Sequence, residues 1–208
     1  MDERDTLVFR PTTSIVLSVS GWALIGLGGA TAVGYAIALG EPHRLWALVP
    51  VALLALLVWE LFWRPRVVVT DADVTLVNPF HTVTVAWSSL IDVDTRFALT
   101  LVTPQRRYRA AAAPAPGPLT RPITGAASAH PAIGPADRDG GRRASSALGT
   151  DSGDLAAIVR DRWMRLAEAE RIPLGRADAQ RARVRIHLAS LATVVALLTA
   201  SLPAIALA

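Results

Sequence analysis

Apolar residues gather in three long blocks separated by polar stretches. Residues 11–40 contain no charged residue, and residues 45–63 contain one, Glu60. The last block, 186–208, contains no Asp, Glu or Arg. Spanning a bilayer takes about 20 apolar residues at a helical rise of about 1.5 Å per residue. The pattern therefore predicts three transmembrane helices, at 14–39, 45–63 and 186–208.

A cleaved secretory signal is the alternative interpretation of the first block, because Ala36, Ile37 and Ala38 match an A-x-A cleavage site. The apolar block is, however, far longer than the usual h-region of about 7–15 residues. Residues 1–13 carry three acidic and two basic residues, whereas a signal begins with a positive segment. We therefore interpret residues 1–13 as an N-terminal arm and the block as a membrane helix.

Glu60 is the charged residue of the second block, and it has two interpretations. A carboxylate inside a membrane helix is a functional candidate. Arg64 follows four residues later, however, and an i,i+4 ion pair at the level of the headgroups accounts for a carboxylate near the end of a span. Trp59 and Trp63 suit the same interfacial position. We favour the ion pair.

Small residues recur every four positions along the first predicted helix, at Gly26, Ala30, Gly34 and Ala38. Such a stripe lets two helix backbones approach closely. It predicts helix packing, either within the chain or between copies in a homo-oligomer.

The pattern changes to period two after the second span. Alternating apolar and polar residues bounded by turn residues predict about six short strands in 64–109, arranged as an antiparallel meander. Residues 114–150 consist mainly of Ala, Pro, Gly and Ser, which predicts a disordered insertion. Apolar residues at helical spacing then predict an amphipathic helix over 151–172 that covers the apolar face of the sheet.

Several short segments carry a resemblance to a known family: Arg64–Val69, Val74–Pro79, Trp87–Leu90 and Arg107–Arg109, the last followed by an Ala/Pro run. In their order after two apolar spans, they resemble the bacterial pleckstrin-homology (PH) domain proteins, in particular the actinobacterial low-molecular-weight protein antigen type.

The resemblance implies a strongly bent antiparallel sheet or partly open barrel capped by one helix. The expected fold class is thus a membrane protein of mixed α+β type. It has three transmembrane helices and a PH-like module formed by residues 64–113 and 151–172. The family fold has seven strands, and the seventh requires a contribution from Leu119–Thr124.

Charge sets the predicted orientation. All 21 basic residues are arginines and the net charge is +4, which gives an isoelectric point near 10.8. Two arginines lie in residues 1–13, one lies in 41–44, and the rest lie in 64–185. Positive residues accumulate on the cytoplasmic side, so we expect the N-terminus and residues 64–185 in the cytoplasm and the C-terminus outside the plasma membrane. This distribution does not call for a nucleic-acid partner.

Catalytic motifs are missing from the sequence. It contains no cysteine, no nucleotide-binding loop and no metalloprotease or hydrolase signature. Two D-x-D pairs, Asp71/Asp73 and Asp92/Asp94, resemble a metal-chelating motif, but a turn and a solvated strand face explain them better. We expect no catalytic residue, no metal site and no cofactor.

Five arginines flank the predicted strands and are candidates for contact with anionic lipid: Arg64, Arg66, Arg106, Arg107 and Arg109. The expected function is non-catalytic. A cytoplasmic PH-like module held next to the bilayer would bind proteins or the lipid surface as a scaffold. The expected partners are the bilayer and either another protein or a second copy of the chain. The alternatives are an accessory subunit of a transporter and a membrane enzyme that uses a D-x-D pair.

Overall fold

The computed structural model describes residues 6–95, 98–114, 151–172 and 180–206. They fall into two compact units. Among the described residues, the first unit contains 6–86, 110–112 and 181–206, and the second contains 87–95, 98–109, 113–114, 151–172 and 180. The predicted insertion at 114–150 and the proposed seventh strand at Leu119–Thr124 lie outside the described residues, apart from Pro114.

The described helices and strands follow one another in this order: β1 (Leu7–Phe9), α1 (Thr12–Leu39), a 3₁₀ segment (Pro42–Ala47), α2 (Leu48–Val58), a π-helical turn (Trp59–Trp63), β2 (Arg66–Val69), β3 (Asp73–Asn78), β4 (His81–Ala86), a 3₁₀ turn (Trp87–Ser89), β5 (Asp92–Asp94), β6 (Ala98–Val102), β7 (Arg107–Pro114), α3 (Asp151–Glu168), β8 (Arg183–Ile186) and α4 (Leu188–Ala206).

Helix α1 ends at a glycine for a geometric reason. Gly40 adopts a left-handed φ of 66°, which costs glycine little because it lacks a Cβ. The N–H groups of Gly40 and Glu41 then donate to the carbonyls of Ile37 and Ala36, at 3.1 and 3.0 Å. This Schellman-type cap satisfies carbonyls that the last helical turn would leave free, and it reverses the chain toward α2.

Among the described residues, two helical segments are long and apolar enough to cross a membrane, Thr12–Leu39 and Pro42–Trp63. The third predicted span corresponds to α4, whose apolar part, Leu188–Pro203, is shorter. Helix α4 begins two residues later than the predicted boundary because Ile186 still pairs with β4. Helix α2 contacts both α1 and α4. A third transmembrane helix stays a prediction.

The first unit contains a five-stranded antiparallel sheet in the order β1-β2-β3-β4-β8. Its central strands alternate and bury aliphatic side chains on one face: Val67, Val69, Val74, Leu76, Val83 and Val85. The end of β3 departs from this alternation, because Val77 and Asn78 are both buried as well. β-Branched residues suit such a pleated, half-buried surface. The period-two pattern of the sequence therefore located β2, β3 and β4 well.

The two outer strands of this sheet were not foreseen. Strand β1 comes from the predicted N-terminal arm and pairs Leu7 with Val69. Strand β8 comes from the arginine-rich stretch before α4 and pairs Arg183 with Thr84. Segments of three and four residues give only a weak alternation signal, too weak to assign a strand, and their stability comes from pairing with distant strands.

The second unit contains a three-stranded antiparallel sheet in the order β5-β6-β7. Helix α3 contacts β5 and β6, and its buried residues Leu155 and Val159 lie on the apolar stripe. The Arg160 guanidinium donates a hydrogen bond to the Val93 carbonyl. The predicted amphipathic helix thus covers a sheet face. Residues 64–114 contain six strands, the number expected from the sequence, but the partly open barrel stays a prediction.

A candidate functional site at the helix–sheet junction

All three apolar helices leave the same end of the five-stranded sheet. The register pairs Phe9 with Val67, Arg66 with Val77, and His81 with Ile186, so the end of β1, the start of β2 and the end of β8 lie at the same end of the sheet. Residues 10–11 join β1 to α1, residues 64–65 join the π-helical turn to β2, and His187 alone joins β8 to α4. Connections of one or two residues leave little freedom between the sheet and the helices.

A buried ion pair lies at this end of the sheet. Glu60 is 0% exposed, and its Oε1 accepts a hydrogen bond from Arg64 Nη1 at 2.6 Å. The same nitrogen donates to Ser190 Oγ at 2.9 Å, and the guanidinium lies 5.1 Å from the Trp59 ring centroid. Arg64 thereby links the end of the second helix to the first turn of α4. For Glu60, the sequence favoured this i,i+4 ion pair over a functional carboxylate.

His187 extends this polar group toward the sheet. Its Nε2 shares a hydrogen bond with Thr82 Oγ1 at 3.0 Å, and its backbone N–H donates to the Phe80 carbonyl at 2.8 Å. Burial lowers the pKa of His187 below its usual value, and the positive charge of Arg64 acts in the same direction. We call Glu60, Arg64, Ser190, His187 and Thr82 the junction cluster.

Two atoms of the junction cluster are buried without a hydrogen-bond partner among the described residues, Glu60 Oε2 and His187 Nδ1. A buried polar atom without a partner is costly, and ordered water commonly fills such a position. The cluster therefore has the hydrogen-bonding capacity to hold water between the helices and the sheet.

The sheet face opposite the valine core presents rows of side chains that the register fixes. The row nearest the helices consists of Arg66, Val77, Thr82 and Arg185, on β2, β3, β4 and β8 respectively. We call it the helix-proximal row. The next row consists of Val68, Thr75, Thr84 and Arg183, in which the two threonine hydroxyls lie 3.0 Å apart.

Arg183 and Arg185 are exposed, and sequence reasoning did not include them among the candidate lipid contacts. The available signal was the alternation of Arg183, Val184, Arg185 and Ile186 directly before an apolar block. That alternation is typical of a strand that places both arginines on one face.

The five predicted lipid-contact arginines fall into two groups. Arg64 and Arg66 belong to the first unit, and Arg64 is engaged within the junction cluster. Arg106, Arg107 and Arg109 belong to the second unit. All three are exposed, and they lie at or near the turn that joins β6 to β7. Lipid contact by these arginines stays a prediction.

The small-residue stripe of α1 faces away from the neighbouring helices. Gly26, Ala30, Gly34 and Ala38 are all exposed. A Cβ built on Gly26 or Gly34 would meet no heavy atom within 4 Å.

Packing between α1 and α2 uses different glycines. A Cβ on Gly21 would lie 3.3 Å from the Val58 methyl carbons, and one on Gly29 would lie 3.4 Å from a Val51 methyl carbon. The predicted stripe is thus separate from the intramolecular helix contact.

The D-x-D pairs occupy the positions expected of structural residues. Asp71 and Asp73 lie in and after a turn in which Thr70 Oγ1 accepts hydrogen bonds from the N–H groups of Ala72 and Asp73, at 3.2 and 3.0 Å. Asp92 is exposed on β5, and its Oδ1 accepts a hydrogen bond from the Val93 N–H at 2.8 Å. Within the described part of the chain, no three His, Asp or Glu side chains gather closely enough to hold a metal ion.

Comparison with known proteins gives one match. Residues 64–157 match a family model described as "Bacterial PH domain". Neither the curated proteins nor the solved structures contain a match. The matched range begins at the junction-cluster arginine and includes six strands and the first turns of α3. It confirms the resemblance to bacterial PH-domain proteins, while the actinobacterial type stays a prediction. The match to residues 64–157 thus supports a bacterial PH-domain-containing protein.

Proposed function

We propose that this protein is an integral membrane protein that holds its PH-like module against the cytoplasmic face of the plasma membrane. The module acts there by binding a protein or the lipid surface. A PH-like domain suggests a binding or scaffold role. The membrane helices would give that role a location and an orientation.

The observation that carries the proposal is the attachment of three apolar helices to one end of the sheet. Helix α1 has 28 residues, more than the roughly 20 that a span requires. Large apolar side chains along α1 face outward, with Leu24 71% and Ile37 72% exposed. Exposing such an apolar surface to water would be unfavourable, whereas the acyl chains of lipids would cover it.

The distribution of arginines supports the orientation. Arg10, Arg64 and Arg185 lie within three residues of helix ends at the sheet. Arg10 also lies 5.1 Å from the Trp63 ring centroid, an arrangement typical of membrane interfaces. At the other end, the loop between α1 and α2 has Arg44 as its basic residue. The positive-inside tendency thus favours a cytoplasmic sheet.

We also propose that copies of the chain associate through α1. The stripe of Gly26, Ala30, Gly34 and Ala38 is exposed, and small-xxx-small faces allow close helix contact in a bilayer. A homo-oligomer would display several PH-like modules together, which suits a scaffold because linked modules bind with higher avidity.

Carbonate extraction and vesicle flotation test the membrane location. The full-length protein should remain with the membrane pellet at high pH and float with liposomes of neutral phosphatidylcholine after reconstitution. Release into the carbonate supernatant, together with failure to float, would show that the helices do not anchor the protein and would contradict the proposal.

A further inference from the structure

We propose that the outer edge of β8 (Arg183–Ile186) binds an extended segment of a partner protein in which acidic and aliphatic residues alternate. The segment would add one strand to the five-stranded sheet. This site rests on the proposed binding role of the protein and is independent of its membrane location. Strand β8 lies outside residues 64–157, which match the family model, so the site is not part of the matched domain.

The backbone of β8 is open on one side. It is the last strand of the sheet, and no described strand pairs with its outer side. The next residue, His187, donates its N–H to the Phe80 carbonyl, and in an antiparallel pair every second residue bonds to the neighbouring strand. The two arginines of β8 therefore direct their N–H and C=O groups to β4, whereas Val184 and Ile186 direct theirs to the open side. An extended peptide can add to such an edge through main-chain hydrogen bonds.

An apolar row of the core runs into this edge and is uncovered there. The register aligns the row across four strands as Val67, Leu76, Val83 and Val184. The first three side chains are at most 2% exposed, whereas Val184 is 50% exposed and Ile186 is 60% exposed. An aliphatic side chain on an added strand would lie beside Val184 and extend the buried row.

The other face of the same edge is positive. Arg185, in the helix-proximal row, and Arg183, in the next row, are exposed, and neither forms an ion pair within the described part of the chain. Their neighbours on β4 are the uncharged Thr82 and Thr84. Acidic residues directly across from the arginines would form opposite-charge pairs. A second β8 that continued both faces of the sheet would instead place arginine against arginine, so the charge favours an acidic partner over a second copy.

The opposite edge strand, β1, lacks this combination. It has exposed apolar residues, with Leu7 47% and Val8 59% exposed, but its three residues include no charge. An added strand would gain no opposite-charge pair from β1 itself. We therefore assign the acidic partner to β8.

Fluorescence anisotropy measures the binding of a short labelled peptide of alternating glutamate and valine to the purified full-length protein in a neutral detergent. One control peptide alternates lysine and valine, and another has the same composition as the acidic peptide but groups its glutamates together. The alternating acidic peptide should bind about 10-fold or more tightly than either control, because it alone matches both faces of the edge. Equal binding of the grouped peptide would show a general charge effect and would overturn the site.

Methylation of the peptide nitrogens tests strand addition without any change to the protein. In an antiparallel pair with β8, the valine N–H groups of the peptide would face Val184 and Ile186, and the glutamate N–H groups would face away. Methylation of the valine nitrogens should therefore lower the affinity by about 10-fold or more, because it removes hydrogen bonds between the strands. Methylation of the glutamate nitrogens should change the affinity by less than about 3-fold. Equal effects of the two methylations would overturn strand addition.

Variants of the protein locate the edge. Val184→Pro removes one outward N–H at a position where an edge strand tolerates proline, and it should weaken binding of the acidic peptide by about 10-fold. R183E/R185E should reverse the preference, so that the lysine peptide binds more tightly than the glutamate peptide. R106E/R107E reverses the same amount of charge in the second unit and should keep the preference of the wild-type protein. No loss in Val184→Pro, or an equal reversal in R106E/R107E, would overturn the site.

These results are separable from the membrane location. A protein that floats with liposomes but does not bind the alternating acidic peptide would contradict the site and not the location. A protein that binds the peptide without floating would contradict the location and support the site. Self-association of the wild-type protein that Val184→Pro abolishes would assign the edge to a second copy and overturn the acidic partner.

Discussion

Arg64 and Arg185 both lie at the helix–sheet junction, but in opposite environments. Arg64 contacts a carboxylate that is 0% exposed and a serine 126 residues away, whereas Arg185 is exposed at an edge strand. A charge that is buried with its partner contributes mainly to the integrity of the fold, because removing the partner leaves an uncompensated charge. An exposed charge contributes little to stability and remains available for a ligand.

The largest effect is expected from Arg64→Ala. This substitution leaves the Glu60 carboxylate buried without its cation, which typically costs about 3–5 kcal/mol. Thermal or denaturant unfolding of the detergent-solubilised protein measures the loss. Arg185→Ala is the matched control and should change stability by less than about 0.5 kcal/mol.

A second substitution sharpens this prediction. Replacing Glu60 by Gln in the Arg64→Ala background removes the unpaired charge, so part of the lost stability should return. If Arg64→Ala and Arg185→Ala lost the same free energy of unfolding, the distinction between a buried Arg64 and an exposed Arg185 would be wrong.

An intermediate effect is expected on α1, where two glycines face different surroundings. A valine at Gly21 would press against Val58, at a distance where a Cβ alone already comes within 3.3 Å. Overpacking of this kind costs about 1–3 kcal/mol. A valine at Gly26 meets open space, so the stability of the single chain should stay the same while self-association weakens.

Unfolding experiments and crosslinking in lipid nanodiscs or vesicles would measure these two consequences separately. If Gly26→Val leaves the oligomer unchanged, the exposed stripe is not a contact between copies. If Gly21→Val is as stable as the wild-type protein, α1 and α2 do not pack through this glycine.

The smallest effect is expected at the D-x-D pairs. Asp92→Asn alters an exposed strand residue, and a surface substitution of this kind changes stability by no more than about 0.5 kcal/mol. Melting curves with and without Mn²⁺ should coincide for the wild-type protein and for Asp92→Asn. A large metal-dependent stabilisation that Asp92→Asn abolishes would favour the enzyme alternative.

Local pattern was enough to predict most elements of the fold. Period-two alternation located the strands between Arg66 and Val102, and helical spacing located α3. Strands β1 and β8 escaped because each is short and depends on pairing with a segment distant in sequence, as Leu7 does with Val69 and Arg183 with Thr84. Tertiary pairing, rather than local propensity, defines such strands.

The candidate site was predictable only in part for the same reason. Arginines next to the apolar blocks were visible in the sequence. Their division into Arg64, which binds within the protein, and Arg185, which is exposed, depends on contacts across the chain. Ser190 lies 126 positions from Arg64, and no local spacing links the two. The same holds for the small residues of α1. Their spacing in the sequence did not reveal that Gly21 packs against Val58 while Gly26 faces open space.

The central claim is that the sheet lies on the cytoplasmic side and the α1–α2 loop lies outside, and cysteine labelling tests it most directly. The chain has no cysteine, so each single substitution gives one label site. His43→Cys marks the loop, where the side chain is 63% exposed, and Ala72→Cys marks the exposed distal turn of the sheet.

A membrane-impermeant maleimide applied to intact spheroplasts should label His43→Cys and leave Ala72→Cys unlabelled until the membrane is opened. The unsubstituted protein controls for background. The account would be contradicted if Ala72→Cys were labelled in intact spheroplasts as fast as His43→Cys.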